Sequence, residues 1–141
     1  MKIISHRGNI NGINIDLENN PIHIENLSKI IDCEIDVWMI DNNLFLGHDA
    51  PQYKINKSFL KKPNLWCHAK NLTALNFMLN EGIICFYHNT DDFTLTSNGF
   101  IWTYPLKESC EKTIIVDNRK NWNIINNYTK CYAVCTDYIN I

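Results

Sequence analysis

At 141 residues, with 45% apolar side chains and a formal charge of −2, the chain has the size and make-up of one globular domain, residues 1–141. That charge gives no basic field for non-specific nucleic-acid binding, and no apolar run is long enough to span a membrane. A lone lysine and two isoleucines before Ser5 and His6 do not make a signal peptide. The six cysteines, Cys33, Cys67, Cys85, Cys110, Cys131 and Cys135, form no CxxC pair, and several sit in apolar runs. They read as free, buried thiols, and a cytoplasmic location is expected.

Strand-like runs are expected at residues 2–5, 33–40, 65–69, 83–87, 100–103, 113–116 and 132–136. They are almost continuously apolar, as in strands covered on both faces of a parallel sheet. "DNNLFLGHD" adds a turn and a short returning strand. Asn20-Pro21 is a helix start, and Ile22, Leu27, Ile30 and Ile31 can form its apolar stripe. Asn71 can cap a second helix with Leu72, Leu75, Met78 and Leu79 inward, stopped at Gly82. A third helix is expected over 122–128. No linker or repeat interrupts the pattern. The class is α/β with a mostly parallel sheet. A full eight-unit barrel takes about 250 residues, so the sheet is either open or a barrel whose later helices have shrunk.

Polar residues fall at the strand ends. His6-Arg7 closes the first run, and His48-Asp49 ends the hairpin. Glu34 and Asp36 share one face of the second run, as His68 and Lys70 share one face of the third. His88 ends the fourth. In a parallel barrel such ends meet at one mouth. Taken singly, each has an ordinary explanation: a strand-end histidine is commonly structural, and Glu-x-Asp occurs on exposed strands. Two inward carboxylates, however, would need a cation to stay ionised, and a divalent metal is the economical one. Arg7 and Lys70 suit an anion beside it.

The order of these motifs resembles the glycerophosphodiester phosphodiesterase family of phospholipase-C-like phosphodiesterases. The motifs are "HRG" at 6–8, "LENN" at 17–20, "EID" at 34–36, "GHD" at 47–49 and "HAK" at 68–70. "CTDYI" at 135–139 is similar to that family's closing strand, and "FIWTYP" at 100–105 to a late one. The resemblance implies a compact, helix-depleted TIM-like (β/α) barrel. It also implies His/His general acid–base cleavage of a glycerophosphodiester or related small phosphodiester, with a cyclic phosphate as a possible product. His6 and His48 match the catalytic pair, Arg7 and Lys70 the phosphate contacts, and Glu34 and Asp36 the ligands of Mg²⁺ or Ca²⁺. The third ligand position, a carboxylate in that family, is His68 here, which favours Mn²⁺ or Zn²⁺. Alternatively His68 hydrogen-bonds Asp36 or Asp49. Glu18, Asp49, His88 and Trp102 are expected around this set, with Tyr104 beside Trp102 as ordinary rim aromatics.

Two other functions are consistent with the sequence. One is a non-catalytic barrel that binds metal and phosphate. The other is a zinc site of His48, His68 and His88. The short loops imply an open mouth, or a homo-oligomer covering bare flanks.

Overall fold

The computed structural model describes residues 1–105, 107–125 and 128–139. Its strands are β1 (Lys2–His6), β2 (Asp32–Ile40), β3 (Asn43–Leu46), β4 (Tyr53–Ile55), β5 (Leu65–Ala69), β6 (Cys85–Phe86), β7 (Phe93–Leu95), β8 (Ile101–Thr103), β9 (Thr113–Val116) and β10 (Ala133–Thr136). Four short helices accompany them: α1 (Pro21–Leu27), α2 (Lys57–Leu60), α3 (Leu72–Asn80) and α4 (Trp122–Ile125).

The strands form one mixed, curled sheet. A parallel series runs β6-β5-β2-β1-β10-β9-β8. β2 also turns into the antiparallel hairpin β2-β3-β4, and β7 lies antiparallel to β8. The TIM-like barrel expected above is therefore not what forms. Helices do not alternate with strands: none lies between β6 and β9 among the described residues. The stretch from Thr103 to Thr113 is too short for a helical crossover. β6 and β8 share no ladder. Instead the residues after β7 reach β6, where Ser97 N–H donates to Cys85 C=O at 2.8 Å.

Local chemistry explains most elements. Asn20, Asn56 and Asn71 accept N–H groups from the first turns of α1, α2 and α3, and Pro21 opens α1. Asp41 and Asn42 both hold positive φ, 49° and 63°, as a two-residue hairpin turn between β2 and β3 requires. The expected inner faces of the helices need correction. α1 buries Ile24 and Leu27, whereas Ile22 and Ile30 are exposed. α3 buries Ala74 and Met78 and exposes Leu72 and Leu79. In helices this short, positions near the ends reach past the sheet. Of the helix expected over 122–128, only α4 forms; residues 126 and 127 lie outside the described residues, and Tyr128 is not helical.

The core has two parts. One packs α1 and α3 against β2, β3 and β5 through Ile24, Ile35, Leu46 and Met78. The other comprises Ile4, Trp66, Phe86, Trp102, Ile114 and Cys135. Because side chains alternate along a strand, the next position on that face carries the site: His6 follows Ile4, His68 follows Trp66, and His88 follows Phe86. All six cysteines are free thiols, and Cys33, Cys67, Cys85 and Cys135 are buried. Among the described residues no helix is long and apolar enough to cross a membrane.

Candidate functional site

Strand register assembles the centre. His6 on β1 pairs with Glu34 on β2, and Asp36 pairs with His68 on β5. Glu34, Asp36 and His68 each offer a ligand atom within 4.8 Å of the others. His68 Nδ1 lies 3.1 Å from Asp36 Oδ1 and 3.9 Å from Glu34 Oε1.

The two carboxylates are almost fully buried, at 2% and 1% exposure, and they do not share charge equally. Burial and the neighbouring Asp36 push the Glu34 carboxyl up to about 7. Burial also raises Asp36, but His68, Arg7 and the Asn19 amide outweigh it and bring its carboxyl to about 2. Asn19 is the clamp. Its Oδ1 accepts Asp36 N–H at 2.9 Å and its Nδ2 donates to Asp36 Oδ2 at 3.0 Å. To do so it takes positive φ, 55°.

Among the described residues, the other carboxylate oxygen, Asp36 Oδ1, is buried and has no aligned hydrogen-bond donor. His68 is close enough for attraction but not aligned to donate. A buried carboxylate oxygen without a donor, beside a second carboxylate and an imidazole, fits a divalent cation. Lys70 Nζ is 4.0 Å from that oxygen, and Arg7 Nε is 3.4 Å from Oδ2. The HRG turn carries Arg7 into place with φ +57° and Gly8 with φ +89°. At φ +89° an L side chain is strained, so this position favours glycine, and a Cβ there would also have to displace the Ile24 Cδ1 methyl of α1, 2.7 Å away.

His6 is tied down on its far side. Its Nδ1 lies 2.8 Å from Asp137 Oδ1, and its Nε2 faces Glu34 Oε2 at 3.9 Å. Asn9 Nδ2 donates to both Asp137 Oδ1 and Glu18 Oε1, linking the N- and C-terminal strands. Burial alone would lower His6, but the Asp137 hydrogen bond and the Glu34 charge win, and its pKa is raised. Burial would raise Asp137, but His6 and Asn9 hold it below the usual carboxylate range.

His48 is placed differently. Its side chain is 38% exposed, and Nδ1 contacts Asp49 Oδ1 at 2.8 Å, with Asp49 97% exposed. Its loop is set by Gly47, where a Cβ would fall 2.0 Å from Ala50 O, and by Trp38 Nε1, which donates to Gly47 C=O at 2.6 Å.

His88 stacks on His68 with centroids 4.6 Å apart, and its Nδ1 lies 2.6 Å from Tyr104 Oη. Burial and the His68 charge hold it down to about 4. Trp102 is buried and stacks on Phe86 at 4.3 Å. Thus Phe86 and His88 stack on His68, and Trp102 backs Phe86.

A cavity of about 320 Å³ gathers His6, Arg7, Glu34, Asp36, His48, His68 and Lys70. His88, Asn89, Trp102, Tyr104 and Asn118 also line it. Every residue singled out from the sequence for catalysis, phosphate or metal therefore lines one space. Glu18 and Asp49 lie outside it: Glu18 braces Asn9 and Arg7, and Asp49 touches His48. The zinc set of three histidines is not assembled. Among the described residues the ligand-type group that forms is Glu34–Asp36–His68, and His88 binds Tyr104 instead.

Sequence reasoning missed Asp137 and Asn9 as members of the site and carried Asn19 only within "LENN", without its grip on Asp36. The acid of "CTDYI" stands one residue past a strand, as Arg7 does, and that position was a usable signal. For Asn9 no pattern marks the role, because it depends on the turn that Arg7 and Gly8 make with positive φ. No family model, curated protein or solved structure matches this chain.

Proposed function

We propose that the chain is a metal-dependent phosphodiesterase acting on a glycerophosphodiester or a related small phosphodiester. One observation carries this reading: two histidines, two cationic side chains and an acid–acid–histidine group line a single cavity. The motif order resembles that of the glycerophosphodiester phosphodiesterases, and it supports the same chemistry without their barrel.

Arg7 and Lys70 bind the phosphate oxygens, Arg7 through its planar fork and Lys70 as a point charge. His6, held by Asp137 with Nε2 turned to the cavity, carries a proton and delivers it to the leaving oxygen. His48, nearer solvent, accepts the proton of the attacking hydroxyl, which belongs to the substrate or to water. If the substrate's own hydroxyl attacks, a cyclic phosphate forms. Glu34, Asp36 and His68 would hold the divalent ion, which supplies positive charge against the phosphoryl oxygens.

The test is turnover of bis(p-nitrophenyl) phosphate and of glycerophosphocholine with added divalent metal. Activity that disappears in both His6→Ala and His48→Ala is the expected result. Full activity in both variants refutes the reading. A second reading, a metal- and phosphate-binding protein without turnover, draws on one observation: the acid that touches the His48 ring, Asp49, is 97% exposed. It predicts metal-dependent thermal stabilisation by glycerol phosphate and no product.

A further inference from the structure

Two features of the acid–acid–histidine group are unusual for a site meant for a hard cation. The third donor is an imidazole nitrogen, and that imidazole lies against aromatic rings. Phe86 and His88 occupy same-facing positions at the end of β6, with ring centroids 6.1 Å apart and planes 2° from parallel. His68 lies parallel to both, 5.1 Å and 7° from Phe86, 4.6 Å and 8° from His88. The two parallel rings together make an aromatic shelf for a single imidazole. The shelf is itself fixed: Phe86 stacks on Trp102, and His88 is held by Tyr104. From the other side Asn19 grips Asp36, so that the carboxylate oxygen lacking a hydrogen bond, Oδ1, faces His68 Nδ1.

Mg²⁺ and Ca²⁺ favour oxygen-only sets, and Mg²⁺ sheds water reluctantly. Imidazole shifts the balance to first-row transition ions, whose affinities rise along the series from Mn²⁺. Ring orientation of a ligating histidine is a large part of such affinity. We propose that the Glu34–Asp36–His68 group selects a transition-type divalent ion, such as Mn²⁺ or Zn²⁺, over Mg²⁺ and Ca²⁺. The Phe86–His88 shelf is the device that holds His68 for it. This rests on the metal group of the reading above and not on its cleavage step.

The test is calorimetric titration of the full, chelator-treated chain with each of the four ions, without substrate. One ion per chain is expected, with Mn²⁺ about tenfold or more tighter than Mg²⁺ and Zn²⁺ tighter again. Pulsed EPR of the Mn²⁺-loaded chain should show coupling to an imidazole nitrogen that His68→Gln removes. His68→Glu should bring Mg²⁺ level with Mn²⁺. His88→Ala should weaken Mn²⁺ several-fold, and His88→Phe should restore it. Mg²⁺ or Ca²⁺ binding as tightly as Mn²⁺ in the unaltered chain overturns the ion choice, as does absent nitrogen coupling. Unchanged Mn²⁺ affinity in His88→Ala overturns the shelf. Because no substrate is present, these outcomes are independent of whether the chain cleaves a phosphodiester.

Discussion

The two histidines proposed to move protons sit in opposite surroundings. The His6 side chain is 14% exposed, bound to a carboxylate that is itself buried, and joined through Asn9 to Glu18. His48 stands on a loop, and its nearest side-chain partner is an acid open to water. The difference separates orientation by a network from orientation by backbone. His6 is aimed by what its side chain touches. His48 is aimed by Gly47 and Trp38, which act on the backbone of its loop.

Removing each ring tests the contrast most strongly. Both His6→Ala and His48→Ala should lower kcat about 10²–10⁴-fold, the usual worth of a general acid or base. Only the first should also cost stability, about 1–3 kcal/mol, because Asp137 stays buried with a donor gone. Denaturant melts of both variants check this, and equal stabilities would erase the distinction. Next in size is Gly47→Ala. Its Cβ cannot stand 2.0 Å from Ala50 O, so the loop must shift and His48 with it. A loss of about 10² in kcat is expected, since misplacing a catalytic group by about an ångström has that effect, together with a lowered melting temperature from the strained loop backbone.

Asp137→Asn probes the network without emptying it. The carboxylate raises the His6 pKa, so its loss lowers that pKa, and the alkaline limb of the rate profile should move to lower pH. At neutral pH kcat should fall about tenfold, the scale of one hydrogen bond to a charged group. The pair also sets a stability window. His6, raised, stabilises the fold below its ordinary pKa, and that contribution is lost as pH rises through the raised value. Asp137, lowered, stabilises above the ordinary carboxylate pKa, and that contribution is lost as pH falls through the lowered value. Melting temperature against pH should therefore be flatter in Asp137→Asn. The smallest effect belongs to Trp38→Phe. It removes one N–H to the Gly47 carbonyl, worth about 1 kcal/mol, and kcat should fall less than in Gly47→Ala.

The site was more legible than the fold. His6, Glu34, Asp36, His68 and Lys70 could be read because a strand turns every second residue the same way, and the parallel ends of strands lie together. Asp137 sat at such an end and was readable by the same rule. Asn19 was not, since its clamp on Asp36 depends on a positive φ that no periodicity announces. The barrel expectation failed for a different reason. Apolar runs identify buried strands but not their neighbours, and the short strands β4 and β7 carry too few residues to show alternation. Nor could the runs reveal that β2 serves β1, β5 and β3 together.

His6 and Asp137 stand 131 positions apart in the chain, yet they share a hydrogen bond. Their meeting depends on β1 and β10 lying side by side, the first and last strands in chain order among the described residues. Glu34, Asp36 and His68 need only β2 and β5. Loss of the Asp137 carboxylate alone would thus strip the proposed proton donor of its anchor while sparing the three ligand residues. Cation uptake and the proposed bond cleavage would then part company, and only the latter would depend on the seam between β1 and β10.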